Sequence, residues 1–474
     1  MTALHRSILA AIALWALAAF GYPDALWRDP AGRLRPDARD AVALLERSAA
    51  EGFDPRDYPV PTGDASDFDS TLTTSMLRYL EDLRFGRVDP RALGFRMPPR
   101  ESIDVAAALR EAVGSRRLDS LAGELSPQIP MYAQLRHELA RYKALATDAR
   151  VNARDDVPSL LVMVGDLPVD AARDSDAVTK AVRRFQARHG LEPDGVVGPA
   201  TRRALAVPWS WRARQIELSL ERLRWLPRFP PQRILAVNIP MFRVWGMGDA
   251  RAPLFSAGVI VGRSLRTRTP VLLESMEYVI FRPYWNIPGS ILHGEILPAV
   301  RRSPGYLDQH GMEIVAGDSD SGRIVPPTAE NIAGLGAGTL RLRQRPGPQN
   351  SLGLVKFVFP NDANVYMHGT PAPALFARAR RDFSHGCIRV SDPVGLAEWV
   401  LRGDPAWTRE RIVAAMNGRS PLRVDLGRPI PVILFYTTAM PIDGAMHFAD
   451  DIYGHDAQLD RHLQAARGRR PATE

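Results

Sequence analysis

The sequence is almost without cysteine. Cys387 stands alone among 474 residues, so no disulfide can form within the chain. Taken apart from its neighbours, a lone cysteine reads as a small buried hydrophobe. Lysine is scarce too. Lys143, Lys180 and Lys356 are the only ones, and arginine supplies the rest of the 61 basic residues. Against 53 acidic residues the net charge is +8. No basic run is interleaved with aromatics, which argues against nucleic acid as a partner. A positive surface also suits an anionic polymer or a membrane face. There is no collagen period, and 45% hydrophobic with 24% charged residues is globular rather than disordered composition. Long apolar runs are missing beyond residues 1–22. There, His5 and Arg6 precede the apolar stretch Ser7 to Phe20, short of the about 20 residues that a span needs. It has the form of a secretory signal, with Ala16-Leu17-Ala18 as a cleavage candidate; left uncleaved, it is an anchor. Either way the remainder is expected outside the cytoplasm, where a free thiol is open to oxidation.

The length suggests about three domains. From about 37 to 150 the pattern is helical. Val42, Leu45 and Ala49 share one face before Gly52, and Leu72, Met76, Leu80 and Leu83 repeat before Gly86. This predicts a helical scaffold. A second unit, 174–208, places Val178, Val182 and Phe185 on one helix face closed by Gly190. Asp194-Gly195 forms a turn, and a further helix starts near Thr201. The run Phe185-Gln186, His189-Gly190-Leu191, Asp194-Gly195, Gly198, Thr201 and Leu205 resembles the three-helix peptidoglycan-binding domain, which implies peptidoglycan as a partner. Residues 209–231 read as a linker helix ended by Pro227, Pro230 and Pro231.

From 232 to about 445 the period changes to two. Strands are expected at Arg233–Ile239, Ser256–Val261, Met276–Phe281, Leu352–Phe359, Asn364–Met367 and Pro431–Thr437. The Gly-, Pro- and charge-rich segment at about 292–348 interrupts them, and long loops inside compact domains are often lids. Within it, Asp318 to Gly322 has a faint likeness to a calcium loop. No carboxylate stands at the twelfth position, so no metal is expected there. Residues 446–474 read as a C-terminal tail.

Chemistry concentrates at Val365 to Pro371 and at Ser384 to Val390. His368-Gly369 ends a strand. Nineteen residues on, Cys387 follows a glycine ahead of a helix predicted at Pro393–Leu401. A thiol needs an imidazole to take its proton or to pair with its thiolate. Gly386 lets backbone approach a substrate closely, and N–H groups near it suit an oxyanion. Two histidines compete as base. His385, two residues from the cysteine, is constrained; His368 arrives from a separate strand and is favoured.

His368-Gly369 followed by Ser384-His385-Gly386-Cys387-Ile388-Arg389-Val390 resembles the signature of L,D-transpeptidases with the YkuD-type catalytic domain. Arg282 to Pro288 and Asp451 to Asp456 are similar to the large periplasmic YcbB-like subgroup. The resemblance implies a multidomain α+β architecture: helical scaffold, peptidoglycan-binding module and β-rich catalytic domain with an inserted capping segment. It makes Cys387 the nucleophile, His368 the base and the Gly369 carbonyl its orienting group. Ser384, His385, Gly386 and Arg389 shape the oxyanion hole and pocket, and Tyr366, Trp285 and Asn286 line the pocket. No cofactor or metal is implied. The implied reaction acylates Cys387 on a tetrapeptide stem, releases D-Ala and forms 3→3 cross-links in the periplasm; whether other wall-synthesis enzymes are partners is not readable from the residues. Three alternatives stay open on the residues alone: water or a lipoprotein lysine as acceptor, a metal site built from His368, His385 and Cys387, and a non-catalytic wall-binding protein.

Overall fold

The computed structural model describes residues 26–468 apart from 62–66, 150–155, 249–252, 266, 304 and 318–320. The N-terminal apolar segment, and most of the stretch likened to a calcium loop, lie outside the described residues. Helices α1 (Pro36–Glu46), α2 (Phe68–Phe85), α3 (Val105–Ser115) and α4 (Leu118–Leu125) enclose a core of Leu45, Leu72, Met76, Leu80 and Leu109. The i, i+4 spacing along α2 puts Leu72, Met76 and Leu80 on one face, and Gly86 at φ +74° ends the helix.

Helix α5 (Pro130–Thr147) leaves this bundle to pack against α9 (Trp209–Leu223). Between them, α6 (Val157–Met163), α7 (Ser175–Arg188) and α8 (Pro199–Leu205) form the three-helix module around Leu161, Val182 and Phe185. The Gln186 amide ties its turn, donating to Asp194 Oδ1 at 2.7 Å and Thr201 Oγ1 at 3.0 Å. Expected as a linker, α9 is instead buried. Ile216, Leu218 and Leu220 are fully enclosed, and so is Glu221. Some of its charges find partners in distant segments, as Arg222 does in Asp456. Glu221 accepts from the Arg87 and Val88 amides.

The β-rich domain is a closed sheet. Strands β1 (Ile234–Asn238), β2 (Arg243–Met247), β3 (Pro253–Gly262), β4 (Leu272–Phe281), β9 (Val355–Val358), β10 (Met367–His368), β12 (Ile388–Val390) and β13 (Leu422–Phe435) form a ring, because β2 also pairs with β3. Closure removes the open edges that would otherwise pair with other chains. Strand β11 (Asp382–Ser384) adds to β3 in parallel. Helices α12 (Pro393–Leu401) and α13 (Arg409–Met416) pack against the ring through Leu396, Val400 and Ile412.

The interrupting segment is a folded cap rather than a loose loop. Strands β5 (Trp285–Asn286), β6 (Met312–Ala316), β7 (Arg323–Val325) and β8 (Arg341–Gln344) form a second sheet, joined by α10 (Leu297–Arg302) and α11 (Ala329–Ala337). They share a core of Leu292, Leu297, Ile314, Leu335 and Leu342. Its strands are too short to show alternation in sequence, and its glycines mark helix ends such as Gly338 at φ +75°. The C-terminal segment is no free tail either. After the hairpin β14–β15 (Ala439–Ile442, Ala445–Phe448), α14 (His455–Gly468) buries Leu459 and Leu463 in the barrel core.

Candidate active site

Strands β10 and β12 run parallel with Met367 opposite Ile388 and His368 opposite Arg389. The Ile388 amide donates to the Tyr366 carbonyl at 3.0 Å. Met367 and Ile388 are fully buried in the barrel. Alternation therefore turns Tyr366 and His368 to the opposite face, together with Cys387 and Arg389. On the other side of β10, strand β9 sets Lys356 opposite His368. The Lys356 ammonium lies 3.8 Å from the Tyr366 ring centroid, and the Tyr366 and His368 rings are 5.8 Å apart. Five side chains thus share one face. Sequence reasoning missed Lys356. Its signal was rarity, since lysine occurs three times in this arginine-rich chain.

The loop before β12 is held by its own side chains. Ser384 Oγ accepts from the Gly386 amide at 3.2 Å and donates to the Cys387 carbonyl at 2.5 Å. Gly386 has φ +113°, a conformation that favours glycine, and its carbonyl accepts from Thr269 Oγ1 at 2.8 Å. Tyr453 donates to the Gly262 carbonyl and accepts from the Thr269 amide. The C-terminal segment therefore braces the loop from behind.

His368 Nδ1 is 2.6 Å from the Gly369 carbonyl. A carbonyl only accepts, so Nδ1 carries the proton and Nε2 keeps a lone pair. Cys387 Sγ contacts the Asn364 carbonyl at 3.8 Å and hydrogen-bonds with Tyr366. Trp285, at the base of the cap, hydrogen-bonds Tyr366 through its side chain. Two predicted residues are not gathered here. Asn286 alternates away from Trp285, is exposed, and accepts from Arg341 at 3.4 Å. His385 turns outward, its Nε2 2.7 Å from Glu295 Oε1 of the cap. Among the described residues no three His, Cys, Asp or Glu side chains are grouped to hold a metal.

Residues 232–408 match the model of the L,D-transpeptidase catalytic domain. The barrel is thus similar to an L,D-transpeptidase catalytic domain over these residues. Residues 22–139 match a scaffold domain, and 164–205 match a model described as "Putative peptidoglycan binding domain". A protein of Haemophilus influenzae named "Putative L,D-transpeptidase" is 31% identical over 248 residues, 52% of this chain and 49% of that protein. The chain thus spans about half the length of the curated relative it matches.

Electrostatics in the barrel favour a neutral resting pair. Burial pushes the His368 imidazole down to about 3, and Arg389 and Lys356 push the same way against the Gly369 and Leu352 carbonyls. Burial pushes the Cys387 thiol up, against Tyr366, Lys356 and Arg389, which pull it down. The imidazole is therefore neutral near pH 7 with Nε2 unprotonated, not a cationic partner for a standing thiolate. Arg389 is half-buried, and its Nε has no hydrogen-bond partner among the described residues.

Proposed function

We propose that this protein is a periplasmic L,D-transpeptidase that joins peptidoglycan stems through a Cys387 thioester. The single observation that carries the reading is the shared face, with Cys387, a neutral His368 and two cations lying over adjacent strands. His368 Nε2 takes the thiol proton as Sγ adds to the carbonyl carbon between diaminopimelate and the terminal D-Ala of a tetrapeptide stem. The oxyanion meets the Cys387 amide, since the Gly386 amide is already engaged by Ser384 Oγ. Lys356 and Arg389 add positive potential where the negative charge develops. The C–N bond then breaks, His368 returns the proton to the departing amine, and D-Ala leaves. In the second half the side-chain amine of another stem's diaminopimelate attacks the thioester. Its proton passes through His368 to the thiol, giving a 3→3 cross-link and the free enzyme.

Mass spectrometry of the protein mixed with disaccharide-tetrapeptides tests the whole cycle. Expected are a covalent adduct on Cys387, released D-Ala and a cross-linked dimer. A tripeptide monomer as the only product would make water the acceptor. D-Ala release by a folded Cys387→Ala chain would overturn the nucleophile.

A further inference from the structure

The end of α7 faces the barrel across a groove of about 660 Å³. On the module side it is lined by Arg188 and by Gly190 to Pro193, and on the barrel side by Arg243, Arg378, Arg381 and Ser391. We infer that this groove is a second binding site for the carboxylate-bearing stem peptides of peptidoglycan, a reading that rests on the proposed function.

The charges are the first ground. Among the described residues Arg243, Arg378 and Arg381 form no ion pair with a carboxylate, whereas Arg188 beside them is paired with Asp166. Arg243 donates to Ser256 Oγ at 3.0 Å. Arg381 donates to the backbone carbonyls of Val259, Arg378 and Phe242, at 3.2, 2.8 and 3.0 Å. Carbonyls fix a guanidinium without neutralising it. Burial and the neighbouring Arg243 charge both push Arg381 below the ordinary arginine range, which marks an uncompensated site. His447, also lining the groove, is held down to about 4 by burial with Arg188 and Arg243, so it adds no charge at neutral pH. Glu192, exposed on the module wall, supplies one negative group. Three cations facing one anion complement a stem peptide, which bears several carboxylates and the single side-chain amine of diaminopimelate.

Position is the second ground. Ser391 follows β12, four residues beyond Cys387. That is roughly 13 Å of extended chain, about the length of the peptide being cut. Arg381 leads into β11 and the loop that carries Cys387. A strand of peptidoglycan seated on the module through one stem would thus present a neighbouring stem to the thiol, raising its effective concentration there.

Charge reversal by Arg243→Glu with Arg378→Glu tests this, since neither side chain lies in the core. In a Cys387→Ala background, binding to purified peptidoglycan sacculi should weaken by about tenfold or more. A soluble tetrapeptide stem should compete for the groove where a neutral chitooligosaccharide does not. In the active chain, D-Ala release should fall about tenfold further with sacculi than with soluble disaccharide-tetrapeptide. An equal fall on both substrates, no fall on either, or competition by the neutral sugar would overturn the inference. Failure of the unmutated chain to release D-Ala from the soluble stem would instead count against the proposed function, and sacculus binding would still read the groove.

Discussion

Cys387 is surrounded by cations, yet burial dominates its thiol. The sequence suggested that an adjacent imidazole would lower that thiol, because histidine commonly does so as a cation. A histidine held near 3 is neutral at working pH and gives no such help. Alkylation of the free protein by iodoacetamide should therefore climb with pH, with a midpoint above the free-cysteine value of about 8.5. A plateau of fast labelling at pH 6–7 would show a standing thiolate and sink the neutral-pair reading. Lys356 acts on the same atom from strand β9. Lys356→Met should move the alkylation midpoint further up and lower kcat/KM by about tenfold to a hundredfold, at or below the range for losing a direct oxyanion donor. A purely structural role would lower the melting temperature and leave the alkylation midpoint in place.

At the scale of elements, the placement of His368 depends on a turn outside the strand that carries it. Gly353, at φ +65°, precedes β9. A Cβ there would lie 2.6 Å from the Thr370 nitrogen and 2.7 Å from the Gly369 carbonyl carbon, both backbone. The displaced carbonyl is the one that orients the imidazole. Gly353→Ala should cut D-Ala release by about a hundredfold, as a misplacement near 1 Å does, while circular dichroism stays native-like. Gly338→Ala, at a cap helix end with open space around it, should cost only about 1 kcal/mol of stability. Equal activity losses in the two variants would remove the positioning argument. The loop motif was legible in sequence because a glycine-bounded loop is a local signal, whereas the strand expected at Asn364–Met367 proves to be the two-residue β10, Met367–His368. Lys356, the strands inside the cap and the burial of α9 were not legible. The cap is built of two- to five-residue strands whose pairing is non-local. Glu221 and Arg222 of α9 are buried against partners more than a hundred residues away, the Arg87 amide and Asp456.

Over the whole molecule the matched domains share their interiors. Val88, Leu93, Phe95 and Met97 of the scaffold side sit in the barrel core, and Arg96 bridges to β4 through the Val271 carbonyl and the Leu273 amide. His455 stands where these parts meet. Its ring is 4.9 Å edge-on to Phe95, 4.8 Å from Tyr436 and 5.8 Å from Tyr453. Burial, with Arg222 beside it, holds its imidazole down to about 4 from 6.5. His447 is likewise near 4 and His368 near 3. All three are neutral in the fold, and the unfolded chain binds their protons first as pH falls. Their contribution is complete above about pH 6.5 and is lost progressively as pH drops towards 3–4. His189 is depressed by burial in the same way. Glu81, Asp166, Glu274 and Asp456, raised by burial, and His293, raised by the Gly289 and Gly336 carbonyls, work in the opposite sense, but the carboxyls start from the ordinary carboxylate range, so the imidazoles dominate the upper part of the window. The melting temperature should therefore fall markedly between pH 7.5 and pH 4.5. Because His455 joins scaffold to barrel, both should unfold in one transition rather than two. His455→Gln should start lower at pH 7.5 and lose less on acidification than the parent chain. A parent melting temperature that is flat or rising across that window, or a scaffold that melts alone, would show that these histidines are not held neutral at a shared interface.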